Sequence, residues 1–341
     1  MAARVNYICS CFFHRNIYLQ KYKYHVHYYD EQKFIEDYSE TFLRWNCTDE
    51  DLASILREVK SEVERRKNRG KEHVKRCEMV QKLYQRLDPP LYTLDESYFH
   101  SDFLRITKYC RDELSPTMEG LLQMISKEEA SRVYSFPVFT DEFCRRFLDE
   151  LDHFERSDLP KGRPNTMNNT GILLAELGFD DHFMNRFREH YLQPLSALLY
   201  PEWTGSSGLD SHRSHIVTYD ATGPTDRTDV GLSTHFDNAE VSLSVSLGKE
   251  YSDGELYFGE MKGVVVSNPR LYPYYHKIGR GVIHRGQHMH GAMDITDGTR
   301  YNIIVWMRSS SVRNKLCPRC DQSPTLIPFE GYGDGFTKQL M

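Results

Sequence analysis

The 341-residue chain lacks several features that would assign it to a class at once. No run approaches the roughly 20 consecutive apolar residues of a membrane helix, so no membrane role is expected. The opening, MAARVNYICSCFFHRNIYL, has a short apolar patch broken by Asn6, His14 and Arg15, which makes a poor secretory signal. A basic excess is also missing. With 43 Lys and Arg against 49 Asp and Glu the net charge is −6, so nucleic acid is not an expected partner. The eight cysteines are dispersed rather than spaced as a disulfide framework, which favours a reducing compartment, cytoplasm or nucleus. No internal repeat is visible.

Hydrophobic residues make up 39% of the chain and charged residues 27%, enough for a packed core and against global disorder. Residues 1–47 are irregular and tyrosine-rich (KYKYHVHYYD), an edge strand or a loop. Thr48-Asp49-Glu50-Asp51 has the pattern of a capping box, and Leu52, Ile55, Leu56, Val59 and Val63 follow at helical spacing. The polar section ERRKNRGKEH interrupts that stripe around Gly70, before Val80, Leu83, Tyr84 and Leu87 resume it. Its mixed charges read as a solvated helix face or a helix-loop-helix. Residues 88–130 form a connector with short helices, which closes a mainly helical N-terminal region, 1–130.

A second domain is expected over 131–310. It starts with a strand near Val133–Phe139, followed by a helix carrying Phe143, Phe147, Leu148 and Leu151. The loop LPKGRPNTMNNTG can lie over the mouth of a site. A helix near 180–199, with Pro194 as a possible kink, precedes six strands: 212–220, 232–237, 240–248, 254–261, 280–285 and 299–308. Helices first and strands after give an α+β organisation with an antiparallel sandwich or barrel. In VSLSVSLG, Val241, Leu243, Val245 and Leu247 face one way and Ser242, Ser244 and Ser246 the other. The serine row faces either an interior site or solvent. Residues 311–341 are a C-terminal tail.

The chemistry is concentrated between Ser233 and Arg308. His235 and Asp237, two apart, share a strand face. A second histidine can come from His284, His288 or His290, and Arg300 follows. Two imidazoles and one carboxylate suit a divalent iron with open positions. A 2-oxo acid could chelate such an ion, and its far carboxylate would need a guanidinium. Elsewhere, Cys317 and Cys320 make half a zinc site that Cys9 and Cys11 would complete if the chain ends met; free thiols are the alternative.

The order HxD, a serine-bearing strand, GELYF, HMHG and GTRY resembles the Fe(II)- and 2-oxoglutarate-dependent dioxygenases, particularly the prolyl 4-hydroxylase and lysyl hydroxylase branch. These motifs span 212–308; a closer likeness, to a narrower group within the 2-oxoglutarate and iron-dependent oxygenases, includes PKGRPNTMNN, LDSHR, SVRN and GYGDGF and extends over nearly all of the chain. The resemblance implies a double-stranded β-helix, or jelly roll. It implies that His235, Asp237 and His290 bind Fe(II), with His288 structural, and that Arg300 binds the C5 carboxylate of 2-oxoglutarate. Tyr219 would assist at the co-substrate, and Ser246 falls near a position where some prolyl hydroxylases use tyrosine. The implied reaction hydroxylates a C–H bond, with a protein or peptide side chain as substrate, while 2-oxoglutarate becomes succinate and CO₂. L-ascorbate (vitamin C) is implied as the reductant that restores the iron. A non-catalytic binding protein on the same fold is the alternative.

Overall fold

The computed structural model describes residues 5–223 and 228–338. Contacts divide the chain into two compact units, Met1–Lys75 with Asn314–Met341, and Arg76–Arg313. No helix among the described residues is long and apolar enough to cross a membrane.

The first unit is more regular than its composition suggests. Strand Asn6–Cys9 pairs with Leu326–Phe329, and Ile17–Leu19 pairs with Tyr24–Val26. A helix not expected from the sequence, α1 (Glu31–Arg44), follows. Asp30 caps it by accepting from Lys33 N at 2.9 Å. Phe34, Tyr38 and Phe42 recur every four residues along its packed face, a signal hidden among the surrounding tyrosines.

Helix α2 runs unbroken over Asp49–Leu83, so of the two readings of the polar section around Gly70 the continuous helix holds and the helix-loop-helix does not. Its start is the capping box the sequence predicts: Thr48 Oγ1 accepts from Asp51 N at 3.2 Å and Asp51 Oδ2 from Thr48 N at 3.1 Å. Gly70 is not a breaker. A Cβ there would collide with the carbonyl of Glu330, so the glycine allows close backbone approach.

The second unit is α+β and carries eight principal strands: β1 (Tyr134–Pro137), β2 (Ser211–Asp220), β3 (Leu232–His235), β4 (Val241–Gly248), β5 (Leu256–Met261), β6 (Arg280–Arg285), β7 (His288–Ala292) and β8 (Ile295–Arg308). The larger antiparallel sheet runs β1-β6-β4-β8-β2, with short strands at both edges. The smaller runs from Tyr272–Tyr274 through β5 and β7 to β3. Their inner faces line one cavity, with Tyr219 and Ser244 on one side and Leu256 and His290 on the other. This is the jelly roll, or double-stranded β-helix.

Alternation along the strands separates core from cavity. Val241, Leu243, Val245 and Leu247 of β4, with Tyr301, Ile303, Val305 and Met307 of β8, join the core. Phe143, Phe147 and Leu151 of helix α3 (Asp141–Glu155) belong to the same core. The opposite row, Ser242 and Ser244 with Ile304 and Trp306, faces the cavity. The open question about the serine row is thereby answered in favour of the interior. The helix expected near 180–199 is present and continuous; it takes π-helical turns at Asp180–Met184 and Phe187–Leu192 and ends as an α-helix, Gln193–Leu199. Pro194 lies directly after the second π-helical turn, where the helix passes from π to α.

The turn between β3 and β4 is held by a buried ion pair. Arg313, fully buried, donates twice to Glu240 at 3.0 Å, and Ser309 N donates to the same carboxylate at 2.6 Å. Glu240 O accepts from Gly286 N, and Gly286 O accepts from Asp237 N at 2.7 Å. Removing one partner of such a pair leaves an uncompensated buried charge. Glu240→Ala should therefore cost about 3–5 kcal/mol in urea unfolding. A Glu240→Leu, Arg313→Met double variant should recover much of it; a single-variant loss below about 1 kcal/mol contradicts this role.

Candidate metal centre

His235 of β3 and His290 of β7 are direct partners across the ladder, so their side chains leave the sheet on one face. The imidazole centroids are 4.3 Å apart. Asp237, just past β3, brings Oδ1 to 3.6 Å from His235 Nε2 and Oδ2 to 3.8 Å from His290 Nε2. One ligand atom from each residue lies within 4.8 Å of the other two.

Each ring is oriented through its second nitrogen. His235 Nδ1 donates to Ser233 O at 2.9 Å, and His290 Nδ1 donates to His288 O at 2.8 Å. A carbonyl can only accept, so the proton resides on Nδ1 and the Nε2 lone pair is directed at Asp237. That tautomer is the one a metal ligand needs, and the three donors fit a divalent ion held on one face. Burial pushes the Asp237 carboxyl above its ordinary value, with His290, Ser242 and Trp306 opposing. The buried Ser242 hydroxyl and Trp306 indole N–H line the same cavity and favour the ionised carboxylate.

The neighbouring histidines have other tasks. His288 Nε2 donates to Gly259 O at 2.9 Å, so that ring is tied to β5. His284 packs edge-on against His290 at 4.6 Å, with Nδ1 donating to Arg285 O at 2.8 Å. Burial, then the neighbouring histidines, hold His284 well below the ordinary imidazole range, so it stays neutral.

Arg300 of β8 is 1% exposed and shares the inward face with Asn302, Ile304 and Trp306. Its Nη1 donates to Gly254 O, while its Nε is buried without a hydrogen-bond partner. Tyr219 is its cross-strand partner and also lines the cavity of the three metal-type donors. The guanidinium lies 4.4 Å from the Tyr219 ring centroid. Ser246, opposite Asn302, lines an adjoining recess with Tyr251, Gly254 and His276.

Several residues at the site escaped sequence reasoning. Asn165 and Asn168 reach the cavity from the PKGRPNTMNN loop. Asn165 folds that loop by accepting from Met167 N and Asn168 N, both at 2.8 Å. Asn168 is fully buried beside the Tyr219 hydroxyl. His276 reaches Asn302 at 3.5 Å and is pushed down to about 3 by burial and by Arg300. A loop asparagine or a lone histidine carries no periodic signal; only the fold brings these residues in.

With this geometry in hand, the chain was compared with known proteins. A family model described as the OGFOD2-like domain matches residues 80–205. The chain is 46% identical to 2-oxoglutarate and iron-dependent oxygenase domain-containing protein 2 of Danio rerio, covering 97% of this chain and 94% of that protein. The Homo sapiens protein of the same name is 43% identical over 97% of this chain and 93% of its own length. The chain belongs to this family. A more distant relative, procollagen-lysine,2-oxoglutarate 5-dioxygenase 1 of Rattus norvegicus, is 24% identical over 59% of this chain and 26% of that protein. In this family member, the matched 80–205 segment contains the loop that delivers Asn165 and Asn168 to the cavity.

His276 gives a pH prediction. An unfolded histidine titrates near about 6.5, whereas the folded one is held at about 3. Below about pH 6.5 the unfolded chain takes up a proton that the folded chain refuses, so stability falls as pH drops towards 3. In metal-free protein, His276→Asn should flatten the decline in urea midpoint between about pH 6.5 and 5. An unchanged slope excludes this residue as its source.

Proposed function

We propose that His235, Asp237 and His290 hold Fe(II), and that Arg300 receives the C5 carboxylate of 2-oxoglutarate with Tyr219 and Ser246 nearby. The observation that carries this reading is the set of two Nε2 lone pairs and one buried carboxylate converging on one point, each imidazole fixed through its Nδ1. When bound, the iron supplies the activation of O₂ that couples conversion of 2-oxoglutarate into succinate and CO₂ to hydroxylation of a C–H bond.

The protein's own part is binding and orientation. Arg300 offers a fixed, buried cation with a spare Nε donor, which suits a carboxylate better than a lysine would. Tyr219 braces the guanidinium face. Asn168 and Trp306 line the same cavity, beside Tyr219 and Asp237 respectively. Apolar Val217, Leu232, Ile304 and Ala292 restrict water around them.

The substrate we propose is a protein side chain of prolyl or lysyl type, by analogy with the named action of the procollagen-lysine relative. Ascorbate would serve as reductant, and the setting would be cytoplasmic or nuclear. Purified protein supplied with Fe(II), ascorbate and 2-oxoglutarate should form succinate, and more of it with cell extract. Asp237→Ala should abolish turnover. Arg300→Met, which deletes a charge-assisted hydrogen bond of about 1.5–3 kcal/mol, should raise the 2-oxoglutarate needed for half-maximal rate roughly ten- to a hundredfold. Mass spectrometry of the extract should find one added oxygen on Pro or Lys. No succinate above the Asp237→Ala background in iron-loaded protein would sink the enzymatic reading.

A further inference from the structure

Within the Met1–Lys75/Asn314–Met341 unit, four cysteines from the two ends of the chain come together. We infer that Cys9, Cys11, Cys317 and Cys320 form a closed tetrahedral zinc site that fastens these two segments to each other.

One sulfur from each cysteine lies within 4.8 Å of the other three, and none is in a disulfide. Zinc–thiolate bonds of about 2.3 Å in a tetrahedron put neighbouring sulfurs about 3.8 Å apart. Cys11 Sγ and Cys317 Sγ, 306 residues apart in sequence, lie 3.7 Å from each other. Four thiolates leave no open position, so the site is structural rather than catalytic, and soft sulfur ligands select zinc over the hard cations.

The backbone is shaped to aim the sulfurs inward. Cys9 ends the strand that pairs with Leu326–Phe329, and its cross-strand partner is Leu326. Cys11 follows in the short turn Ser10–Phe13. Arg66 of α2 fixes that turn by donating to Phe12 O at 2.6 Å, Arg15 O at 2.7 Å and Asn16 O at 2.7 Å. The second pair sits in a tight loop: Cys317 N donates to Gln322 O at 2.8 Å and Asp321 N to Cys317 O at 2.9 Å. Asp321 takes the left-handed conformation at φ 55° to complete it.

Charge and burial agree. When four thiols lose their protons to solvent and bind Zn²⁺ as thiolates, the complex carries two negative charges. Arg319 lies close enough to interact electrostatically with Cys11 and Cys317, and Arg15 with Cys11 and Cys320. Cys9 and Cys317 are 2% and 1% exposed. Around the four sulfurs lie Phe336, Tyr7 and Leu326, which keep the site apolar.

The test counts zinc in full-length protein carrying His235→Ala and Asp237→Ala, so that the candidate iron site contributes none. One equivalent of zinc is expected. It should be lost when Cys317→Ser and Cys320→Ser are added, with a lower thermal midpoint. If the cysteine variant does not fold, titrating with a mercurial a protein that keeps the four site cysteines but carries Cys47→Ser and Cys77→Ser, the other two that are not buried, decides instead: release of one zinc by four thiol equivalents supports the site. Zinc-free protein purified without chelator, whether its four thiols alkylate freely or its mass shows two disulfides, overturns the inference. Zinc retained by the folded cysteine variant also overturns it.

Discussion

A slip of one residue between β3 and β7 would turn His290 to the opposite face of the sheet from His235, and the candidate centre would cease to exist. The register that pairs these residues is therefore the constraint on which the site depends. It is reinforced from both directions. The Glu240–Arg313 pair and the Asp237 N to Gly286 O bond fix the turn after His235. Gly286 lets that turn approach, since a Cβ there would collide with the Ala239 carbonyl. Phe258 of β5, the partner of His290 on its other side, packs against the same ring.

Given that register, the remaining chemistry follows from alternation. β8 presents every second residue to the cavity, so Arg300 necessarily shares a face with Ile304 and Trp306. β2 does the same with Tyr219 and Val217. A buried guanidinium and a carboxylate flanked by two neutral-form imidazoles are costly to bury without partners. Their placement along one interior argues for ligands of matching charge, a divalent cation at one end and a dianionic acid reaching the other.

How much of this was legible in the sequence depended on the range of the signal. VSLSVSLG announced its two faces because the alternation is local, and the Thr48 cap was legible for the same reason. The HMHG strand has neither β-branched residues nor clean alternation, so it was missed as an element although its histidines were singled out. The section around Gly70 left a helix and a helix-loop-helix both open, because the packing partner of Gly70, Glu330, is far away in sequence. Asn168 was hidden in a loop whose composition advertised only turns. The domain boundary expected near 130 followed the first strand, whereas contacts group residues from Arg76 with the strands and return the tail to residues 1–75. The meeting of Cys9 and Cys11 with Cys317 and Cys320 is likewise a property of the fold, beyond any window of sequence.

The central claim is that one ion held by His235, Asp237 and His290 is chelated by a 2-oxo acid whose far end rests on Arg300. The most direct measurement is an anaerobic titration of Fe(II)-loaded protein with 2-oxoglutarate, following the visible charge-transfer absorption of the bidentate chelate. The account predicts a band that saturates with 2-oxoglutarate at one chelate per bound iron, is absent in Asp237→Ala and needs far more 2-oxoglutarate in Arg300→Met. Iron-loaded protein that develops no band at saturating 2-oxoglutarate would contradict it.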